Sequence, residues 1–193
     1  MATVTRARHR TYTIAEYIGL ERYSNVRHEF AEGQILAMAG GTPEHGTFAA
    51  NVIAILSLQL RDRPCRVHTS DVRIRIRSTG LVTYPDVSVV CGRVECDPED
   101  RDAVINPMLL VEVTSPSTDV YDRGEKLDQY RQIPSLLEVL FVAHDDRRLD
   151  LVRRSADGAW SSLATRGDNT LHLESVGCEL GVADVYRDPL RGR

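Results

Sequence analysis

Hydrophobic positions recur at helical spacing in two early stretches and alternate with polar ones in several later stretches, so the chain mixes both kinds of element. Thr13-Ile14-Ala15-Glu16 reads as a capping box opening a helix that runs to about Leu20. A longer helix is predicted from Pro43 to about Leu60, where Phe48, Val52, Ile55, Leu56 and Leu60 recur along one face beside Ala49, Ala50 and Ala54. Between the two, His28 to Met38 reads as a hairpin turning at Glu32-Gly33.

From Arg66 the period changes to two. Val72, Ile74 and Ile76 alternate with Arg73, Arg75 and Arg77, the pattern of a half-buried strand with one basic face. Asp86 to Cys91 and Leu109 to Thr114 are continuous runs of β-branched and aliphatic residues, as central strands covered on both faces require. The segment from Arg93 to Asp102 between them is a charged loop. Ser115-Pro116-Ser117-Thr118 ends the second run and caps a helix from about Asp119 to Gln132, which Pro134 closes. Leu136 to Ala143 is a further buried strand, and Arg148 to Leu180 divides into short strands at Asp157-Gly158 and Gly167-Asp168-Asn169. This order predicts an α/β (α+β) fold in which helices flank a mixed sheet.

The 193 residues are expected to form one domain over 1–193, with 1–10 as a flexible tail. A chain of this length buries roughly 70% of its unfolded surface, enough for a sizeable core. No apolar run reaches the roughly 18 residues that a membrane span needs, and the basic, polar start lacks a signal peptide's apolar stretch. A cytoplasmic location without a membrane partner is the expectation. Cys65, Cys91, Cys96 and Cys178 form no CxxC pair, which argues against a structural zinc site and for free thiols in a reducing compartment. A net charge of −4 argues against nucleic-acid binding by bulk electrostatics. It leaves room for a local cluster, because Arg61, Arg63, Arg66, Arg73, Arg75 and Arg77 fall in one stretch.

Lys126 is the single lysine among the 24 Lys+Arg, so its position calls for a compact ammonium rather than a guanidinium. Upstream, Asp86 follows Thr83-Tyr84-Pro85, and Glu112 sits within Leu109-Leu110-Val111-Glu112-Val113. A carboxylate in a strand-forming run is costly without a task or a partner. If the two strands are neighbours, both acids can serve one Mg²⁺, or Mn²⁺ in its place, held with substrate oxygens and water. Asp122, Lys126 and Tyr130 are spaced by four along one helical face, which can bring the ammonium over the acids to stabilise a phosphoryl transition state. Taken singly, Asp86 also reads as a turn acid and Glu112 as a paired core charge. Glu29 stands either as an acid completing a metal shell or as a surface ion-pair partner. His45 is either a phosphate or water contact or a capping-region histidine, and Asp71 reads best as a hydrogen-bonding residue at a strand entry. No Gly-x-Ser-x-Gly nucleophile setting occurs, and Gly40-Gly41 has neither phosphate-loop pattern.

Arg27-His28-Glu29 with Gly33, Tyr84-Pro85-Asp86-Val87, the run from Val111 to Thr118, and Asp122-Arg123-Gly124-Glu125-Lys126 with Tyr130 together resemble the PD-(D/E)XK nuclease superfamily. Within it they are similar to the bacterial Uma-two family of restriction-endonuclease-like proteins, from Thr11 to about Tyr186. The resemblance implies a sheet flanked by helices and Mg²⁺-dependent phosphodiester hydrolysis. Asp86 and Glu112 would be metal ligands, Lys126 the catalytic lysine and Glu29 an acid supplied from a helix. The superfamily's lysine normally lies two residues beyond the second acid, where this chain has Thr114; here it has moved to the next helix. The expected activity is a DNA endonuclease, with the Arg73, Arg75 and Arg77 face on the backbone and, by analogy, a homodimer. The alternatives are a nucleic-acid-binding or regulatory module that keeps the nuclease fold without turnover, and a metal-dependent hydrolase of small phosphoesters.

Overall fold

A computed structural model describes residues 11–116 and 118–190. The expected tail at 1–10 and Ser117 lie outside the described residues. The chain begins with α1 (Ile14–Glu21), whose capping box is complete: Thr13 accepts from the Glu16 N–H, and the Glu16 carboxylate accepts from the Thr13 N–H. The hairpin β1 (His28–Ala31) and β2 (Gln34–Ala37) follows, turning through Glu32 and Gly33 with φ of 49° and 76°. Two successive left-handed residues are what a two-residue hairpin loop demands, and Gly33 meets that demand without steric cost. The helix α2 (Pro43–Leu60) has the predicted bounds; Thr42 caps it and Pro43 occupies its first turn.

Strands β3 (Cys65–Thr69), β4 (Arg73–Arg75), β5 (Val82–Thr83), β6 (Val87–Cys91), β7 (Ala103–Val104) and β8 (Leu109–Val113) come next. The segment after β8 is α3 (Asp119–Tyr121), a π-helical turn over Asp122–Lys126, and α4 (Leu127–Tyr130). The one continuous helix expected there is interrupted at Gly124, whose φ of −100° and ψ of −106° are not helical. The chain ends in β9 (Glu138–Val142), β10 (Arg148–Arg154), β11 (Trp160–Arg166), β12 (Thr170–Leu173), β13 (Cys178–Gly181) and α5 (Val182–Val185).

Two larger sheets organise these strands. A six-stranded mixed sheet runs β11-β10-β9-β8-β6-β3, with β8 and β9 parallel and its other pairs antiparallel. A five-stranded sheet runs β2-β1-β5-β4-β7, and β12 pairs with β13. Alternation sorts the central strands into two cores. Val87, Val89, Leu109, Val111, Leu140 and Val142 pack with Phe48, Val52, Leu56 and Leu60 of α2. Val90, Leu110, Val139 and Phe141 pack on the other side with Ile74, Ile76, Leu127, Tyr130 and Ile133. Glu112 is in phase with this second set, and so meets α4 rather than α2.

The expectation of four free thiols is corrected. Cys65 and Cys91 are direct cross-strand partners on β3 and β6, with Cα atoms 4.0 Å apart, and form a disulfide; Cys96 and Cys178 are free. No helix among the described residues is long and apolar enough to cross a membrane.

Candidate active site

The two strands bearing the acids are neighbours. Val87 pairs with Val111, so Asp86, one residue before β6, lies across from Glu112. Asp86 is fixed from two sides: its Oδ2 accepts from the Val113 N–H at 2.7 Å, and its Oδ1 lies 2.8 Å from Nε2 of His45, on the first turn of α2. Tyr130 donates to Oε1 of Glu112 at 2.5 Å, and the Lys126 ammonium meets the same oxygen at 3.0 Å.

Lys126 gathers more than one acid. Its Nζ lies 3.3 Å from Oε1 of Glu29 and 3.6 Å from Oδ1 of Asp122. Glu29 therefore joins the cluster, but from β1 of the second sheet and not from a helix, which corrects the expected origin of that acid. Its position is set by the hairpin's anchorage. The buried Glu21 carboxylate accepts from the His28 N–H and from the Tyr84 hydroxyl, the Tyr17 hydroxyl donates to the His28 carbonyl, and Thr83 donates to Glu29. The ammonium thus ties the two sheets together at one point, on a side chain only 5% exposed.

The charges in this cluster perturb one another. Burial raises the Glu112 pKa to about 7, and the Asp86 and Asp122 carboxylates push the same way, while Lys126 and the Tyr130 hydroxyl oppose them. Burial also raises Asp122, with Lys126 acting against it. For Lys126 burial favours the neutral amine, yet attraction from Glu112, Glu29 and Asp122 outweighs it and holds the pKa well above the usual lysine range. The partners of the central pair therefore differ: the ammonium has several anions to itself, whereas Glu112 has a share of one cation and two repelling carboxylates. His45 is raised by its bond to Asp86, against the pull of burial.

Glu29, His45, Asp86, Glu112, Asp122 and Lys126 line a cleft of about 880 Å³, together with Tyr84, Tyr121, Ser115, Thr118 and the Gly40-Gly41-Thr42 turn that leads into α2. Among the described residues no three His, Cys, Asp or Glu side chains close around a metal position. The donor set instead suits an open site. Tyr130 and Lys126 both bond Oε1 of Glu112, and Asp86 lies directly across the strand pair from it, so the two acids could serve one cation from adjacent strands. Two carboxylates completed by water and phosphate oxygens are a common Mg²⁺ arrangement.

The arginine face is paired within the chain. Arg73 holds Asp100 through two bonds of 2.6 Å, and Arg75 binds Asp97 at 2.7 Å and Glu99 at 2.8 Å; only Arg77 stays largely exposed, 3.6 Å from Asp97. None of the three lines the cleft. The acidic loop that follows β6 has folded back to neutralise the basic face. Asp71 accepts from Thr69 and pairs with Arg27, in keeping with a strand-entry role. Sequence reasoning missed the Tyr130 bond to Glu112 and the place of Tyr121 in the cleft.

A family model described as "Putative restriction endonuclease", Uma2, matches residues 14–183. The chain is 36% identical over 175 residues to the uncharacterized protein slr1290 of Synechocystis, covering 89% of this chain and 90% of that one. A second uncharacterized Synechocystis protein, sll1609, is 31% identical over 157 residues, covering 81% and 89%. The crystal structure of a putative nuclease belonging to DUF820 from Anabaena variabilis superposes with a TM-score of 0.73 at 15% identity, covering 89% of this chain and 95% of that one. The expected restriction-endonuclease-like fold, a mixed sheet flanked by helices, is therefore the observed one. Matched over most of its length by the family model and by both relatives, the chain belongs to the Uma2 family of putative restriction endonucleases.

Proposed function

We propose that this chain is a divalent-metal-dependent nuclease that hydrolyses phosphodiester bonds in DNA, with Asp86 and Glu112 holding the metal and Lys126 acting on the scissile phosphate. One observation carries the reading: a buried ammonium is shared by Glu112, Glu29 and Asp122, which come from three separate elements, at a cleft also lined by Asp86. Such an assembly is costly to build and contributes little to stability, so a task is the better account of it.

A bound Mg²⁺ supplies Lewis acidity and a water of lowered pKa. The chain's own groups do the rest. The Val113 N–H and Tyr130 hydroxyl orient the two metal-binding carboxylates, as outer partners of a metal site do. Lys126, kept charged by its neighbours, stabilises negative charge that develops on the phosphoryl oxygens. Its arrival from the π-turn, rather than from the strand that bears Glu112, leaves Thr114 at the usual lysine position free of that duty. Asp122 and Glu29 hold the ammonium within the cleft that all three line. His45, bonded to Asp86 from the first turn of α2, would contact a phosphate oxygen at the same site.

The test is conversion of supercoiled plasmid to open-circular or linear form with Mg²⁺ or Mn²⁺, run beside EDTA controls and the Asp86→Ala and Lys126→Ala variants. Metal-dependent cleavage is expected in the wild type and in neither variant. Inactivity of folded wild type with every metal, or undiminished cleavage by Lys126→Ala, would refute the reading.

A further inference from the structure

We infer that the cleft takes an unpaired nucleotide, its phosphate at the acid cluster and its base against an apolar wall, so that single-stranded or frayed nucleic acid is the preferred substrate over intact duplex. The inference rests on the nuclease reading and names the substrate class of the same site. Three observations carry it.

The first is the two-sided character of the cleft. Besides its acids it is lined by Val26, Leu36, Met38, Ala49 and Ile53. Val26 is 52% and Leu36 50% exposed, which is unusual for large aliphatic side chains in a recess. Exposed apolar surface rimmed by polar groups marks a place where a ligand's own apolar face is covered. The occupant that complements both ends is a phosphate joined to a flat apolar ring system.

The second is the supply of cations. Duplex recognition rests on several Lys or Arg side chains neutralising successive phosphates. The Lys and Arg among the described lining residues are Arg27 and Lys126. Arg27 is paired with Asp71, and Lys126 is buried among carboxylates. Arg73 and Arg75 are bound to the 97–100 loop. A duplex, whose base faces are stacked inside, gains little from such a surface, whereas an unpaired base packed in the cleft adds dispersion and desolvation to the weak phosphate attraction.

The third is size. A recess of about 880 Å³ is in the range that encloses a small-molecule ligand and buries most of its surface. A base in a duplex is stacked on both faces and reaches such a recess only after it is extruded, at a cost in unstacking energy that a single strand does not incur.

The experiment is fluorescence anisotropy with labelled oligothymidylate, oligouridylate and a DNA duplex of the same length, in Ca²⁺ to allow binding, on the wild type, Leu36→Asp and Leu58→Asp. Leu58 is an exposed apolar side chain on the same helix as Ile53 but outside the cleft, so it controls for a new surface charge. Burying a base face against aliphatic side chains is worth about tenfold or more in affinity. At least one single strand is expected to bind about tenfold tighter than duplex. Leu36→Asp is expected to abolish that preference and Leu58→Asp to keep it, with thermal melts showing both variants folded. Comparison of the thymidylate and uridylate arms distinguishes DNA from RNA as the source of the nucleotide. Equal or tighter duplex binding, or a Leu36→Asp variant that keeps the preference, overturns the inference. Plasmid cleavage without strand preference would overturn it and leave the nuclease reading intact. Single-strand binding by a wild type that cleaves no polymer with any metal would do the reverse.

Discussion

Replacing Lys126 with methionine removes the ammonium while keeping an unbranched side chain of similar length, and the structure sets both the size and the pH dependence of the loss. The ammonium lies 3.0, 3.3 and 3.6 Å from Glu112, Glu29 and Asp122. At an effective dielectric constant of about 20, each such contact is worth roughly 5 kcal/mol before desolvation is subtracted. Removing one partner of a buried cluster typically costs about 3–5 kcal/mol net, because the remaining charges are left uncompensated. Glu112 makes this loss depend on pH. Its folded-state pKa of about 7 lies above its ordinary value of 4.5, so the folded chain binds the proton more tightly than the unfolded one. Metal-free stability of the wild type therefore falls as pH rises from about 4.5 to about 7, by at most about 3 kcal/mol, and is level above that. At about pH 5 Glu112 is already protonated, and Lys126→Met loses only the attraction to Glu29 and Asp122. At about pH 8 it also loses the ammonium that tolerated an ionised Glu112, so the full 3–5 kcal/mol is expected. Urea titrations in EDTA at both pH values measure the difference. Equal losses at the two pH values, or none at pH 8, would refute the idea that Lys126 compensates a titrating Glu112.

Three further outcomes are expected. Tyr130→Phe removes a single hydroxyl donor from Glu112 and should cost about 1–3 kcal/mol in urea titrations, with a loss of Mn²⁺ affinity by calorimetry of about 10-fold or more. Unchanged Mn²⁺ binding would show that the hydroxyl serves packing alone. Arg73→Leu breaks a two-bonded ion pair with the buried Asp100 and should destabilise by about 3–5 kcal/mol, while the salt dependence of oligonucleotide binding stays as in the wild type. A shallower salt slope would restore this arginine to the substrate-binding surface. Asp86→Asn keeps an oxygen acceptor for the Val113 N–H, so its melting temperature should stay near that of the wild type while plasmid cleavage is lost; retained cleavage would remove Asp86 from the metal site.

The backbone elements were legible wherever one local signal decided them. The α2 bounds came directly from Thr42-Pro43 at one end and the spacing of Phe48, Val52, Leu56 and Leu60 along the other. The β1–β2 turn followed from Glu32-Gly33, because that dipeptide suits a pair of left-handed residues. The helix after β8 was legible only in outline, since its pattern does not reveal that the turn from Asp122 to Lys126 widens to a π-turn and kinks at Gly124. That detail matters because it lies between the two residues the spacing argument used. Asp122 and Lys126 still meet at 3.6 Å across the distorted turn, and Tyr130 still reaches Glu112.

What the sequence hid were pairings between distant segments, since a periodic pattern shows which face a residue occupies but not what arrives opposite. Glu29 was a candidate without an address: only the anchorage of the β1 hairpin by Glu21 and Thr83 brings it to Lys126. Cys65 and Cys91 looked like separate thiols because nothing local reveals that β3 and β6 pair in the register that sets them side by side. The arginines of β4 carry a usable local signal. Arg73 and Arg75 alternate on one strand face, and the loop some twenty residues later holds Asp97, Glu99, Asp100 and Asp102. Two blocks of opposite charge at that separation fit a strand covered by its own returning loop as well as they fit a nucleic-acid surface. The burial of Asp97 and Asp100, at 2% and 3% exposed, favours the first: acids so withdrawn from water need those guanidinium groups as partners.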